Sequence, residues 1–257
     1  MNYNYHTHTY RCSHATGTEE GYIKRAIENG IKYMGFSDHI PLVFPDNTES
    51  FYRIPLREVK DYFETIRALS KKYKDKIDIK VGFEMEYYPE YFDEMIKTAK
   101  NYGAQYLILG QHFVSPEHPD FEPSSAKTDS AYALKRYVSS VICAMQTKVF
   151  TYVAHPDLFN FVGDIGAYKQ EMKKLCRASK ELDVPLEINF LGIRDSRNYP
   201  NEVFWQIAGE EKSPVTFGFD AHDTMAAFDE ESIEKAKKLV TKYNLNYIGK
   251  PELISIL

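Results

Sequence analysis

The chain has 257 residues, 43% hydrophobic and 27% charged, enough apolar material for one large α/β domain over residues 1–257. Thirteen Gly and twelve Pro are ordinary counts and exclude a fibrous or low-complexity chain. A net charge of -5 with no concentrated basic run argues against a nucleic-acid partner. No apolar run approaches the roughly 18–20 residues of a membrane helix, so no membrane association is expected.

Taken in chain order, the first expected strand covers residues 2–6. A helix over 19–28 follows, opened by Thr18 ahead of two glutamates and closed by Gly30. A strand at 32–37 precedes a helix at 57–73, and a strand at 77–84 precedes a helix at 90–101. The next pairs are strand 105–110 with helix 130–145, and strand 149–154 with helix 168–182. Strand 185–190 leads to helix 202–208, strand 215–220 to helix 230–243, and a weaker eighth strand is expected at 246–249. Such alternation implies parallel strands joined by crossover helices. Seven units favour a closed but distorted TIM-like (β/α)7 barrel over an open sheet. In such barrels the chemistry sits where strands end and the following loops begin.

The N-terminus lacks the basic and apolar regions of a secretory signal. Three Cys without close pairing suit a reducing compartment, so a soluble cytoplasmic protein is expected.

Seven of the eight His fall at or just after the end of an expected strand: His6, His8, His14, His39, His112, His155 and His222. One such His is usually structural. Seven on one rim point instead to a multinuclear metal site. Side chains two apart on a strand share a face, which groups His6 with His8, Asp220 with His222, and Glu84 with Glu86. Imidazole mixed with carboxylate suits zinc, iron or manganese, because calcium and magnesium prefer oxygen ligands. Cys12 lies within the first ligand loop and is close enough in sequence to approach a metal.

The motifs His6-Thr7-His8-Thr9 with His14, Ser37-Asp38-His39, Gly82-Phe83-Glu84, Gln111-His112-Phe113, Ala154-His155-Pro156 and Phe219-Asp220-Ala221-His222 keep a familiar order. Their sequence resembles the polymerase and histidinol phosphatase (PHP) family. The opening around His14 and the run Leu186-Glu187-Ile188-Asn189, with Gly192, Arg194 and Tyr199-Pro200, resembles its monofunctional histidinol-phosphate phosphatases of histidine biosynthesis. The resemblance implies a distorted seven-stranded barrel holding two to three divalent transition-metal ions (Zn, Fe or Mn). The implied first site is His6, His8, Glu84 and Asp220. A second shares Glu84 and adds His112 and His155, and a third uses His14, His39 and His222. Parity leaves Glu84 and Glu86 both open as the bridging ligand, and the Gly-x-Glu match favours Glu84.

Clustered divalent ions generate a hydroxide nucleophile and neutralise phosphate oxygens, which suits hydrolysis of a phosphomonoester. The expected substrate is therefore a small phosphomonoester, by resemblance L-histidinol phosphate. Asp220, Arg194 and Arg197 are the expected catalytic residues, the arginines also binding phosphate. Glu117, Asp120 and Glu122, in the loop after His112, are expected to accept the cationic end of the substrate. Glu187 and Asn189 share a strand face and would orient ligands or serve as structural hydrogen bonders. Asp38 and Asp157 would fix imidazole tautomers. Alternatives are a PHP-type phosphatase or nuclease acting on nucleotides or phosphotyrosine, and an inactive PHP interaction module. The oligomeric state is not set by the sequence.

Overall fold

The computed structural model describes residues 1–256. Among the described residues seven strands run in order: β1 (Tyr3–Asn4), β2 (Tyr33–His39), β3 (Asp78–Met85), β4 (Leu107–Leu109), β5 (Leu186–Asn189), β6 (Pro214–Gly218) and β7 (Asn246–Tyr247). All pairings are parallel, β1-β2-β3-β4 in one sheet and β5-β6-β7 in another. The two sheets are halves of one curled barrel. Val153 bridges Leu109 on one side and Leu186 on the other, and Thr7 bridges Ala221 at the opposite seam.

The expected fifth strand at 149–154 has only Val153 as a bridging residue, yet its backbone joins both neighbours: Thr151 N donates to Leu107 O at 2.8 Å, and Val153 N donates to Pro185 O at 2.9 Å. Lys148 and His155, with φ 59° and 32°, bound this stave. At the other seam β1 stops at Asn4, and side chains take over the pairing. Phe219 N donates to Asn4 Oδ1 at 3.1 Å, and Phe217 N donates to the Tyr3 hydroxyl at 3.2 Å. The expected eighth strand is the short, exposed β7, which pairs with Pro214 and Val215 at the foot of β6.

Among the described residues eight α-helices cover the strands: α1 (Glu19–Glu28), α2 (Val59–Tyr73), α3 (Phe92–Asn101), α4 (Ala131–Gln146), α5 (Ile165–Leu182), α6 (Phe190–Arg194), α7 (Glu202–Glu211) and α8 (Glu230–Tyr243). Thr18 caps α1 as expected, its side chain accepting from Gly21 N. Helix α5 begins three residues earlier than the periodicity implies, because Asp164 accepts from Ala167 N and caps it. Helix α6 is absent from the sequence expectation, which carries the strand through Phe190. Asn189 Oδ1 instead accepts from Gly192 N at 3.2 Å and converts strand to helix within one residue. No helix among the described residues is long and apolar enough to cross a membrane.

The apolar core lies between strands and helices, with Phe36 against Tyr22 and Phe83 against Tyr62 and Phe63. Inside the barrel the packing is tyrosine-rich: Tyr5, Tyr106 and Tyr152 are buried, and the Tyr106 hydroxyl donates to Tyr5 O at 2.8 Å. Above this plug the strand ends leave room for polar side chains.

Candidate metal centre and substrate cavity

The C-terminal rim of the barrel brings together all nine residues expected as metal ligands. Glu84, on β3 and 1% exposed, is at the centre. Its Oε2 lies 3.3 Å from His6 Nε2, His8 Nε2 and His39 Nδ1. Its Oε1 lies 3.0 Å from His155 Nε2 and 3.4 Å from His112 Nε2. The two oxygens of one carboxylate thus face two separate groups of imidazoles.

Several of these atoms are buried without a hydrogen bond: His6 Nε2, His8 Nε2, His39 Nδ1, Glu84 Oε2 and Asp220 Oδ1. Buried polar groups are rarely left so. Four of them form a compact set, with His6 and His8 Nε2 at 3.3–3.4 Å from both Glu84 Oε2 and Asp220 Oδ1. Such nitrogen–oxygen separations suit donors around one ion with bonds of about 2.0–2.2 Å, the range of Zn–N and Zn–O. His14, His39 and His222 form a further set whose ligand atoms all lie within 4.8 Å of one another. The donor chemistry and the spacing fit divalent transition-metal ions. His8, Cys12 and His222 also satisfy that spacing, although the Cys12 thiol donates to Thr9 O at 3.1 Å.

The imidazoles are aimed from behind. His6 Nδ1 pairs with Glu187 Oε1 at 2.8 Å, His112 Nδ1 with Glu86 Oε1 at 2.7 Å, and His8 Nδ1 approaches Asp38 Oδ1 at 3.4 Å. Backbone carbonyls do the same for His14 (Cys12 O, 2.7 Å) and His222 (Asp220 O, 3.2 Å). Such partners fix the tautomer and orient the other ring nitrogen. Glu86, the other candidate from strand parity, therefore backs His112 and is also bound to Arg53 Nη1 at 2.7 Å. Glu187 additionally accepts from His155 N and Asn189 Nδ2. Asp38 lies against an imidazole as expected, but Asp157 does not. Its Oδ2 accepts from Asn201 N and Trp205 Nε1, tying down α7 rather than an imidazole.

The electrostatics favour bound cations. Burial works against charge on His6, yet Asp220, Glu187 and Glu84 outweigh it and hold its pKa well above the usual value. His39 is pushed well below its usual value by burial and by His8, and His222 is pushed down to about 3 for the same reasons. Burial opposes ionisation of Glu84 and Asp220, but the surrounding imidazoles keep both carboxyls well below the usual range. The centre holds ionised carboxylates, and its imidazoles cannot all carry a proton at once.

Two of the candidate ligands have left-handed backbone, Asp220 (φ 48°) and His155 (φ 32°), which is uncommon outside glycine. At Asp220 the conformation is held by Arg194, which donates to Phe219 O at 3.1 Å and to Asp220 O at 3.0 Å. Asn189 Nδ2 fixes Asp220 Oδ2 at 3.0 Å, leaving Oδ1 toward the imidazoles.

Above the cluster is a cavity of about 810 Å³. Arg194 and Arg197 both line it. Arg197 is the freer, held by Asp195 at 3.1 Å and lying 3.4 Å from the Tyr199 hydroxyl. The loop carboxylates expected to meet a cationic substrate are not brought there. Glu117 is 7% exposed and bound to Arg53 at 2.6 Å. Asp120 is exposed, and Glu122 lies 3.7 Å from Arg136 on the outer surface. The loop presents Phe113 and Phe121 to the cavity in their place. Neither these rings nor Tyr52, which donates to Glu86 at 2.5 Å, is legible from periodicity, since they lie in irregular segments.

The PHP domain family profile matches residues 4–190, and motif order, fold and rim agree with it. The chain belongs to the PHP domain family. Two of the expected ligands, Asp220 and His222, lie beyond the matched residues, in the segment just after β6. Among relatives, the chain is 27% identical over 255 residues to the histidinol-phosphatase of Bacillus subtilis, covering 84% of this chain and 92% of that protein. It is 24% identical over 222 residues to a probable histidinol-phosphatase of Deinococcus radiodurans, covering 84% and 85%. The PHP fold here superposes with TM-score 0.71 on the Lactococcus lactis histidinol phosphate phosphatase solved with zinc, L-histidinol and phosphate. That alignment has 19% identity and covers 99% of this chain and 97% of the other.

Proposed function

We propose that this PHP domain is a metal-dependent phosphatase that hydrolyses L-histidinol phosphate to L-histidinol and phosphate, a step of histidine biosynthesis. The observation that carries the reading is Glu84, whose two oxygens face separate imidazole groups at the floor of an arginine-lined cavity. The names of relatives matched over most of their length support the choice of substrate.

His6, His8, Glu84 and Asp220 would hold one divalent ion, Glu84 with His112 and His155 a second, and His14, His39 and His222 a third. Zinc, iron and manganese all suit these donors. Such ions lower the pKa of bound water and neutralise charge on phosphate oxygens. The chain's own groups do the rest. Arg197 keeps donors free for the phosphate, and Arg194 holds the Asp220 backbone in place beside it. Asp220 would serve catalysis as a ligand through Oδ1, which faces His6 and His8, while Asn189 Nδ2 holds its Oδ2. Glu187, Glu86 and Asp38 keep their imidazoles in the ligating tautomer.

The test is direct. Purified protein should contain two to three transition-metal ions per chain and release phosphate from L-histidinol phosphate, and a chelator should stop turnover. Expression should rescue a histidine auxotroph lacking this phosphatase. Metal at background level, or turnover indifferent to chelation, would overturn the proposal.

A further inference from the structure

The cavity lining includes two chemically distinct groups. One contains the ligand cluster and the arginines. The other is aromatic: Phe51, Tyr52, Phe113 and Phe121. Phe51 is 71% exposed and Phe121 57%, large apolar surface left in water at the rim of a cavity. Their centroids are 6.0 Å apart, and Phe121 also meets Phe113 at 5.1 Å.

The rings come from two folded segments. Phe51 lies between β2 and α2, where Val43 bridges Glu49. Phe113 and Phe121 lie between β4 and α4, where Phe113 bridges Pro123 and Val114 N donates to Glu122 O at 3.1 Å. Arg53 locks the two together. Its buried guanidinium binds Glu117 of the second segment at 2.6 Å, Glu86 at 2.7 Å and Ile40 O at 3.1 Å. Because Glu86 also backs His112, the aromatic rim is held in register with the ligand cluster.

The two acidic groups at the cavity outside the ligand cluster each have a protein partner: Asp195 binds Arg197, and Asp223 accepts from Ala226 N. Beside them, the aromatic group offers the organic end of a substrate π surface. We infer that Phe51, Phe113 and Phe121 form the specificity wall of the enzyme, receiving a flat ring carried beside the ammonium on the organic part of the phosphomonoester. Ring faces attract cations and stack on planar groups, and both interactions strengthen as water is excluded. The inference rests on the phosphatase reading above, in which the ring is imidazole.

The experiment compares kcat/KM for L-histidinol phosphate with that for phosphoethanolamine, which carries phosphate and ammonium but no ring. Phe51→Ala and Phe121→Ala should each lower the ratio about five- to tenfold, chiefly through KM for the ring-bearing ester. Phe121→Leu should behave like Phe121→Ala, while Phe121→Tyr should keep the ratio. Both side chains are exposed, so folding should tolerate the changes, and bound metal measured on each variant checks the cluster beneath. An unchanged ratio in both alanine variants, or equal losses on the two substrates, would overturn the inference while leaving the phosphatase reading intact. Wild-type protein that hydrolyses phosphoethanolamine but not L-histidinol phosphate would overturn the reading itself, and the imidazole assignment with it.

Discussion

The Nδ1 of His6 lies 2.8 Å from Oε1 of Glu187, with both side chains fully buried. That contact sets which nitrogen of His6 carries a proton. With Nδ1–H donated to Glu187, the lone pair on Nε2 points to Glu84 and Asp220, at 3.3 and 3.4 Å. Glu187→Gln keeps the shape but weakens the acceptor, and its amide can present N–H to His6. Metal affinity should fall about tenfold to a hundredfold while circular dichroism stays native. Competitive metal titration measures this, and unaltered affinity would remove Glu187 from its positioning role.

Much of this centre is legible in the sequence because strand ends are punctuated by His-bearing motifs. His6-Thr7-His8, Asp38-His39 and Asp220-Ala221-His222 place their ligands by local geometry alone. What is not legible depends on distant pairing. Nothing near Glu86 says that His112 and Arg53 will lie against it, which favours Glu84 as the bridging candidate. Likewise, nothing near Glu117 shows that Arg53 will bury it away from the cavity. The fold was legible as alternation, but its seams were not. Asn4 and Tyr3 replace a β ladder with side-chain bonds, and no periodicity encodes that.

Glu84 faces both imidazole groups, so Glu84→Gln should reduce metal content by more than one ion per chain. His118 is the contrasting case. It pairs with Asp46 at 2.7 Å, away from the cluster, and His118→Ala should leave metal content unchanged. Elemental analysis of the two variants decides. Loss of metal from His118→Ala with retention in Glu84→Gln would reverse the assignment.

Metal removal should also cost stability, because the buried nitrogens and oxygens of His6, His8, His39, Glu84 and Asp220 otherwise make no hydrogen bond. A ligand at about a hundred times its Kd stabilises a fold by about 2.7 kcal/mol. At about 2–4 °C per kcal/mol for a chain of this size, Tm should fall about 5–10 °C on chelation. Differential scanning calorimetry with and without chelator checks this. Return of the original Tm on adding zinc or manganese would tie the effect to the site, whereas an unchanged Tm would show that the cluster does not hold ions in the fold.

The last prediction separates backbone strain from damage to the centre. A Cβ at Gly218, on β6, would overlap Oε1 of Glu187, the oxygen that binds His6. Gly218→Ala must therefore displace the carboxylate, breaking its contacts with His6 Nδ1 and the His155 backbone N–H. Overpacking of this kind costs about 1–3 kcal/mol, and metal affinity should drop along with stability. Gly30 supplies the comparison. It ends the first helix with φ 80°, and a Cβ there meets nothing within 4 Å. Gly30→Ala should cost about 1 kcal/mol or more through its left-handed backbone alone, with metal affinity unchanged. Denaturant midpoints and metal titrations on both variants give the two readouts. If the variants lose stability alike and both keep full metal affinity, the close fit of Glu187 over Gly218 is not what positions His6.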